Sequence, residues 1–289
     1  MKVTAKVMEG RALSQDEFLK NVKNVIAVAS GKGGVGKSTV ALNLALALSK
    51  AGAKIGLLDA DIYGPSIPLM LGLKGPLHAT EDMKLQPAES NGIKVISMGF
   101  FGEQAKQAAI YRGPIISTVL KQFLTDSKWS ELDYLIVDLP PGTGDIPLTL
   151  AQTVPITGIV VVTTPQEVAS SVAVKAIGMF EKLNVRILGV VENMSHFECS
   201  KCNETHYIFG KGGAQKISEE QNIPFLGEIP LNSGIMEGSD LGKPVMITQP
   251  NSPSAEAFTA AAKNIAAQCS IAAAELEEEM HAEAPPSTT

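Results

Sequence analysis

Cysteine is scarce in this chain: only Cys199, Cys202 and Cys269 occur among 289 residues. Three thiols cannot build a disulfide framework, so a reducing, cytoplasmic setting is the expectation. Positive charge is also short, with 24 Lys and Arg against 30 Asp and Glu for a net charge of -6. That balance removes the electrostatic case for a nucleic acid or an anionic membrane as partner. No apolar run is long enough to span a bilayer. Residues 1–24 lack the apolar core of a secretory signal, and Glu9, Asp16 and Glu17 argue against a transit peptide. Internal repeats and a dividing linker are missing too. What remains is 45% hydrophobic, with a mean hydropathy of +0.13. That suffices for a sizeable core in one large α/β domain or two small ones.

Apolar runs that read as strands alternate with helical patterns. The expected strands are 25–30, 54–59, 93–98, 134–138, 157–163, 186–192 and 225–229. The expected helices are 37–50, 113–125, 146–153, 166–183, 213–221 and 254–279. Near-continuous apolar strands separated by helices predict a mostly parallel sheet covered by helices on both faces. The expected layout is a short N-terminal extension over 1–23 and one domain over 24–274. Within that domain lies a polar segment, 194–213. A disordered acidic tail over 275–289 is expected to follow. Phe258, Ala262, Ile265, Cys269 and Leu276 recur at helical spacing, which makes Cys269 a small core residue. The same helix ends in Glu275, Glu277, Glu278 and Glu279, the opposite of a basic membrane anchor.

Gly31-Lys32-Gly33-Gly34-Val35-Gly36-Lys37-Ser38-Thr39 joins the first strand to the first helix. Strand, glycine-rich turn and helix start are the context of a phosphate-binding loop. Glycines let backbone N–H groups converge on an anion, and the helix N-terminus adds partial positive charge. Lys37 then reaches the outer phosphates and the Ser38 hydroxyl binds Mg²⁺. Gly31, Gly33 and Gly36 also fit the dinucleotide pattern G-x-G-x-x-G, with Asp59 as a ribose-binding acid. Two features favour the mononucleotide reading. A dinucleotide loop has no use for Lys37 and Ser38 together, and a second apolar strand, Tyr134 to Val137, ends in Asp138. A strand-end Asp suits a carboxylate that holds Mg²⁺ through water.

Asp59 and Asp61 both follow the second strand, near the crevice where α/β sheets bind ligands. One can orient an attacking water and the other support the metal's hydration shell; the alternative is a capped turn punctuated by Gly64 and Pro65. Leu139 to Asp145 is rich in Pro and Gly, as either a stiff loop or a nucleotide switch would be. Asn193 ends a strand, where it hydrogen-bonds an adenine edge or caps a turn.

Cys199-Ser200-Lys201-Cys202 supplies two thiolates at metal-binding spacing, half of a four-coordinate thiolate site. Several completions are open. The pair can close as a redox disulfide, although it does not sit at a helix start. His196 and His206 can add two nitrogens for zinc. Two chains can each give Cys199 and Cys202 to one shared centre about a two-fold axis, suiting zinc or an iron–sulfur cluster. Two unliganded loop thiols remain the plain alternative.

These motifs together resemble the Mrp family of P-loop ATPases, the bacterial and archaeal iron–sulfur cluster carriers. The likeness is carried by Gly31 to Thr39, Leu57 to Ser66, Tyr111 to Pro114, Asp133 to Asp145, Val191 to Ser195, and the Cys199/Cys202 pair. Lys32 marks the deviant Walker A loop that MinD, the partitioning ATPases and the nitrogenase iron protein share. The resemblance implies a homodimer closing around two ATP molecules, with a 4Fe–4S cluster bridged by Cys199 and Cys202 of both chains. It implies phosphate binding by Gly31, Lys32, Gly33, Gly34, Val35, Gly36, Lys37, Ser38 and Thr39. Lys37 acts in cis and Lys32 in trans. Asp61 positions the water, Asp59 supports it from the outer shell of the Mg²⁺, and Asp138 holds the metal shell. Implied partners are an assembly scaffold and recipient apoproteins. No Cys lies in the first two dozen residues, so no N-terminal cluster is expected. The rival implied by the wider class is a MinD-like spatial-organisation ATPase with structural zinc.

Overall fold

The computed structural model describes residues 21–101, 114–144, 147–148, 154, 156–199, 201–202 and 204–283. Outside these lie most of the N-terminal extension, Tyr111 to Gly113, Asp145, most of the expected helix 146–153, and the last six residues.

Chain order begins β1 (Val22–Ala29), α1 (Lys37–Lys50), β2 (Ile55–Asp59), α2 (Ile67–Met70), β3 (Ala88–Ser90) and β4 (Ile93–Ser97). A 3-10 turn, Met98–Phe101, leads to α3 (Pro114–Thr125), β5 (Leu132–Asp138), β6 (Gly158–Thr163) and α4 (Glu167–Lys182). Then come β7 (Ile187–Glu198), β8 (Thr205–His206), α5 (Gly213–Gln221) and β9 (Phe225–Leu231). The chain closes with α6 (Ser233–Asp240), α7 (Val245–Thr248) and α8 (Pro253–Glu283). Among the described residues the strands form one sheet in the order β3-β4-β2-β5-β1-β6-β7-β8, with β9 also on β7. Pairing is parallel except at the two short strands, β3 on β4 and β8 on β7. The expected α/β architecture is therefore the observed one.

Strand alternation divides the core into two layers. On β1, Ile26 and Val28 face a layer built with α1 and α8. Val25, Ala27 and Ala29 face the opposite layer, built with α3 and α4. Because both faces are covered, β2 and β6 are buried at every position. This is why they read as continuous apolar runs rather than alternating ones.

Within the polar segment 194–213, β7 continues to Glu198 and folds back through β8 as a hairpin. Backbone pairing to β8 and β9 holds these polar residues extended, overriding their weak apolar pattern. α8 runs to Glu283, so the helix extends into the segment expected as an acidic tail. Ala and Glu favour helix, and Glu275 pairs with Arg186 at the rim of the sheet. Cys269 sits on the buried face of α8, where burial pushes its thiol up to about 12. Four short elements had no visible pattern: α2, β3, α6 and α7.

Candidate functional site

The carboxyl ends of the parallel strands carry the site. Register sets Ser97 beside Asp59 and Asp59 beside Asp138 across β4, β2 and β5. Val28 lies on the other side of Asp138, and the phosphate loop leaves β1 one residue later. Three polar strand ends, one serine and two aspartates, thus stand side by side near the start of α1.

The loop is shaped by backbone that only glycine accepts easily. Gly36 has φ of 78°, in the left-handed region. A Cβ there would also stand 2.3 Å from Asn193 Nδ2. Gly36 caps α1 without a side-chain hydrogen bond, so the first N–H groups of a fourteen-residue helix point into the cleft. Those donors and the helix dipole form an anion site.

Lys37 is buried, and its Nζ donates to Asp138 Oδ1 at 2.5 Å and to Ser38 Oγ at 3.3 Å. Asp138 is fully buried, and its Oδ2 has no hydrogen-bond partner. Burial raises its pKa, and the Lys37 ammonium opposes that rise. Asp59 is a hub: Oδ2 accepts from Ser97 Oγ at 2.9 Å and from the Ile67 N–H at 3.3 Å, and Oδ1 accepts from the Asp61 N–H at 3.2 Å. Burial, reinforced by the negative charge of Asp138, pushes Asp59 up to about 7. Two neighbouring buried carboxylates with one ammonium between them make a site short of positive charge. An orphaned carboxylate oxygen beside a serine hydroxyl fits the hydration shell of a hard divalent cation.

A cleft of about 480 Å³ opens over this group. The loop, Ser38, Thr39 and Asp61 line one end. Pro230, Leu231 and Asn232 at the end of β9 line the other, with Ile235 and Met236 of α6. Asp61 also accepts the Gly64 N–H at 3.2 Å, so its carboxylate closes a tight turn while facing the cleft. Lys32 is exposed and does not line the cleft of its own chain. Asn193 lines the cleft, but its Nδ2 donates to the Val35 carbonyl at 2.8 Å and so braces the phosphate loop.

The cysteine pair lies elsewhere, at the turn of the β7–β8 hairpin, closed by a hydrogen bond from the Cys199 N–H to the Glu204 carbonyl at 3.0 Å. Both thiols are free, with Cys199 half-buried and Cys202 exposed. The backbone N–H groups of Lys201 and Cys202 point at the Cys199 sulfur and lower its pKa. Donors aimed at sulfur favour the thiolate, the form that binds metal. His206 pairs directly with Phe197, so the two share one face of the hairpin. His196, one residue earlier, faces the other side, beside Tyr207. The two histidines are therefore split across the strand, and among the described residues no group of three or more His, Cys, Asp or Glu converges on a metal position within one chain. That arrangement removes the structural motive for the zinc-bearing rival.

Three contributors were missed from sequence. Ser97 steadies Asp59, and its only signal is its place at a parallel strand end. Glu192 is buried in β7 and accepts the Ala214 N–H at 2.7 Å, capping α5; a lone acid in an apolar run was the clue. The far wall of the cleft, 230–236, gave no signal, since nothing local links it to the glycine loop.

A glycine-rich loop on a parallel sheet, a helix N-terminus and two strand-end carboxylates define a P-loop NTPase. Comparison with known proteins makes the assignment specific. A family model described as "ParA: NUBPL iron-transfer P-loop NTPase" matches residues 21–266, and the chain belongs to that family. It is 49% identical over 278 residues to an iron–sulfur cluster carrier protein of Synechocystis, covering 94% of this chain and 78% of the relative. It is 47% identical to the iron–sulfur cluster transfer protein NUBPL of Dictyostelium discoideum, covering 88% and 79%. A nucleotide-binding protein of Archaeoglobus fulgidus, solved in complex with ADP, matches with a TM-score of 0.73 at 42% identity, over 84% of this chain and 94% of that one. The cell division ATPase MinD of Pyrococcus furiosus shares the fold, with a TM-score of 0.65 at 24% identity, over 84% and 98%.

Proposed function

We propose that this chain is an ATP-dependent iron–sulfur cluster carrier, accepting a 4Fe–4S cluster between two copies of itself and passing it to apoproteins. The carrying observation is the exposed Cys199/Cys202 turn, a thiolate-favouring half-site that gains no further ligands from its own chain among the described residues. A second copy supplies the missing pair. Short, exposed ligating turns suit cargo that must leave again. The relatives' shared description as cluster carriers supports the same reading.

The nucleotide's part follows from the cleft. Backbone N–H groups of Gly31 to Thr39 bind the phosphates, and the apolar end at Pro230, Ile235 and Met236 receives the base. Ser38, with Asp138 and Asp59 behind it, holds Mg²⁺. When bound, Mg²⁺ supplies charge neutralisation at the outer phosphates. Lys37 exchanges Asp138 for phosphate, and Asp61 orients the attacking water. Lys32 reaches the partner's nucleotide, coupling ATP to the dimer. Hydrolysis is slow, since such sites are often completed by a partner. A cytoplasmic setting fits three cysteines that are all free. Among the described residues no helix is long and apolar enough to cross a membrane.

Anaerobic reconstitution with iron and sulfide tests this. Wild type should take up about four irons per dimer, with visible charge-transfer absorption, and the double substitution Cys199→Ser, Cys202→Ser should take up none. Iron bound by a lone subunit, or retained by the double variant, would refute the carrier role.

A further inference from the structure

The two halves of the site share one strand. Asn193 on β7 braces the phosphate loop, and Cys199 begins the cysteine turn six residues later, directly after Glu198, the last residue of the same strand. That separation is roughly 20 Å of extended backbone at most. β7 changes character between the two. Its pairing to β6 ends at Glu192. Its pairing to β9 jumps from Asn193↔Ile229 to Phe197↔Leu231, so Met194, Ser195 and His196 together oppose Pro230 alone. Pro230 has no N–H to offer the ladder. Met194 holds φ of 55°, a left-handed conformation uncommon for a non-glycine residue.

Inside this bulge one side chain restores a cross-strand bond. Ser195 is buried, and its Oγ donates to the Ile229 carbonyl at 3.1 Å and contacts His196 Nδ1 at 2.9 Å. Beyond the bulge, the hairpin that bears the cysteines hangs on β7, for among the described residues β8 pairs with no other strand. Bulges aim side chains and set local twist, so pinning one fixes where the following residues point.

We propose that Ser195 is a positioning residue that makes β7 a relay, so that nucleotide at the phosphate loop sets the orientation of Cys199 and Cys202. The inference rests on the reading of those cysteines as cluster ligands. Nucleotide draws Lys37 off Asp138 and shifts the Val35–Gly36 backbone. Asn193 follows through its bond to the Val35 carbonyl. The pinned bulge transmits the shift because its slack is taken up by Ser195. Without the pin, the bulge absorbs the movement and the hairpin stays where it was.

The test uses full-length, cluster-free protein and measures iodoacetamide alkylation at each cysteine by mass spectrometry, with and without saturating Mg-ADP. Buried Cys269 reports integrity of the fold. Wild type should show about a fivefold change in the rate at Cys199 on adding ADP, the scale of an ordinary coupling between two sites. Ser195→Ala should bind ADP with unchanged affinity by calorimetry but lose that response. Ser195→Thr, which keeps the hydroxyl, should regain it. Sedimentation of each sample shows whether association has occurred. A response in wild type that persists in Ser195→Ala, or that tracks dimer formation instead, would overturn the proposal, as would no response in wild type, a result that needs no variant to fold. The carrier reading stands or falls separately on iron uptake. Normal iron uptake with no ADP response sinks only the relay, and absent iron uptake sinks the carrier.

Discussion

Lys37, Asp59 and Asp138 set one buried ammonium against two buried carboxylates. The proton on Asp59 gives this a pH signature. Unfolded, its carboxyl titrates at the ordinary value of 3.8; folded, it titrates at about 7. Between those values the folded chain keeps a proton that the unfolded chain has released, so each step upward in pH lowers stability. Nucleotide-free protein should therefore melt at a lower temperature at about pH 8 than at about pH 5.5, and Asp59→Asn should flatten that slope. Thermal melts of both proteins across that range check it; equal slopes would remove Asp59 as the cause.

Gly36 gives a second expectation at this scale. Gly36→Ala places a methyl against Asn193 at a φ that alanine resists. The strain is about 1–2 kcal/mol, and relief requires pushing Asn193 away. Weakened ADP binding by calorimetry, with a lower urea midpoint, is the expected outcome.

Among the elements, α1 and α8 hold the nucleotide end together. α8 buries Phe258, Ala261, Ala262 and Ile265 against the layer that also contains Leu44, Leu48 and Leu226. Phe258 is fully buried. Phe258→Ala should cost about 3–5 kcal/mol, read as a fall in urea midpoint with an unchanged slope. A loss well under 1 kcal/mol would mean that α8 is a loosely attached strap. Legibility from sequence also divides along element lines. β1, α1, β2 and β5 were visible because period and turn chemistry are local, and their expected ends lie within a few residues of the observed ones. The β7–β8 hairpin was not visible. Ser195, His196 and Thr205 carry no apolar alternation, and only pairing with β9 and with each other keeps them extended.

For the molecule as a whole, the proposed carrier is a pair of copies of this chain. Lys32 is exposed and outside its own cleft, and the cysteine turn offers two ligands where a cluster needs four. Lys32→Ala should leave ADP binding by the monomer near wild type while abolishing ATP-dependent dimerisation, measured by sedimentation with a non-hydrolysable analogue. Dimers that form normally in the variant would separate Lys32 from the interface.

The order of residues alone pointed to most of the parallel strands, to the glycine-rich loop as the proposed phosphate site and to Cys199 and Cys202 as the proposed metal ligands, because each depends on neighbours within a few positions. It could not say that Ser97, Asp59 and Asp138 stand side by side, or that β9 and α6 wall the cleft. Nor could it say that the two histidines turn to opposite sides of a hairpin. Those facts follow from strand order and register, which bring together residues far apart in the chain once burial of both sheet faces has selected a single packing.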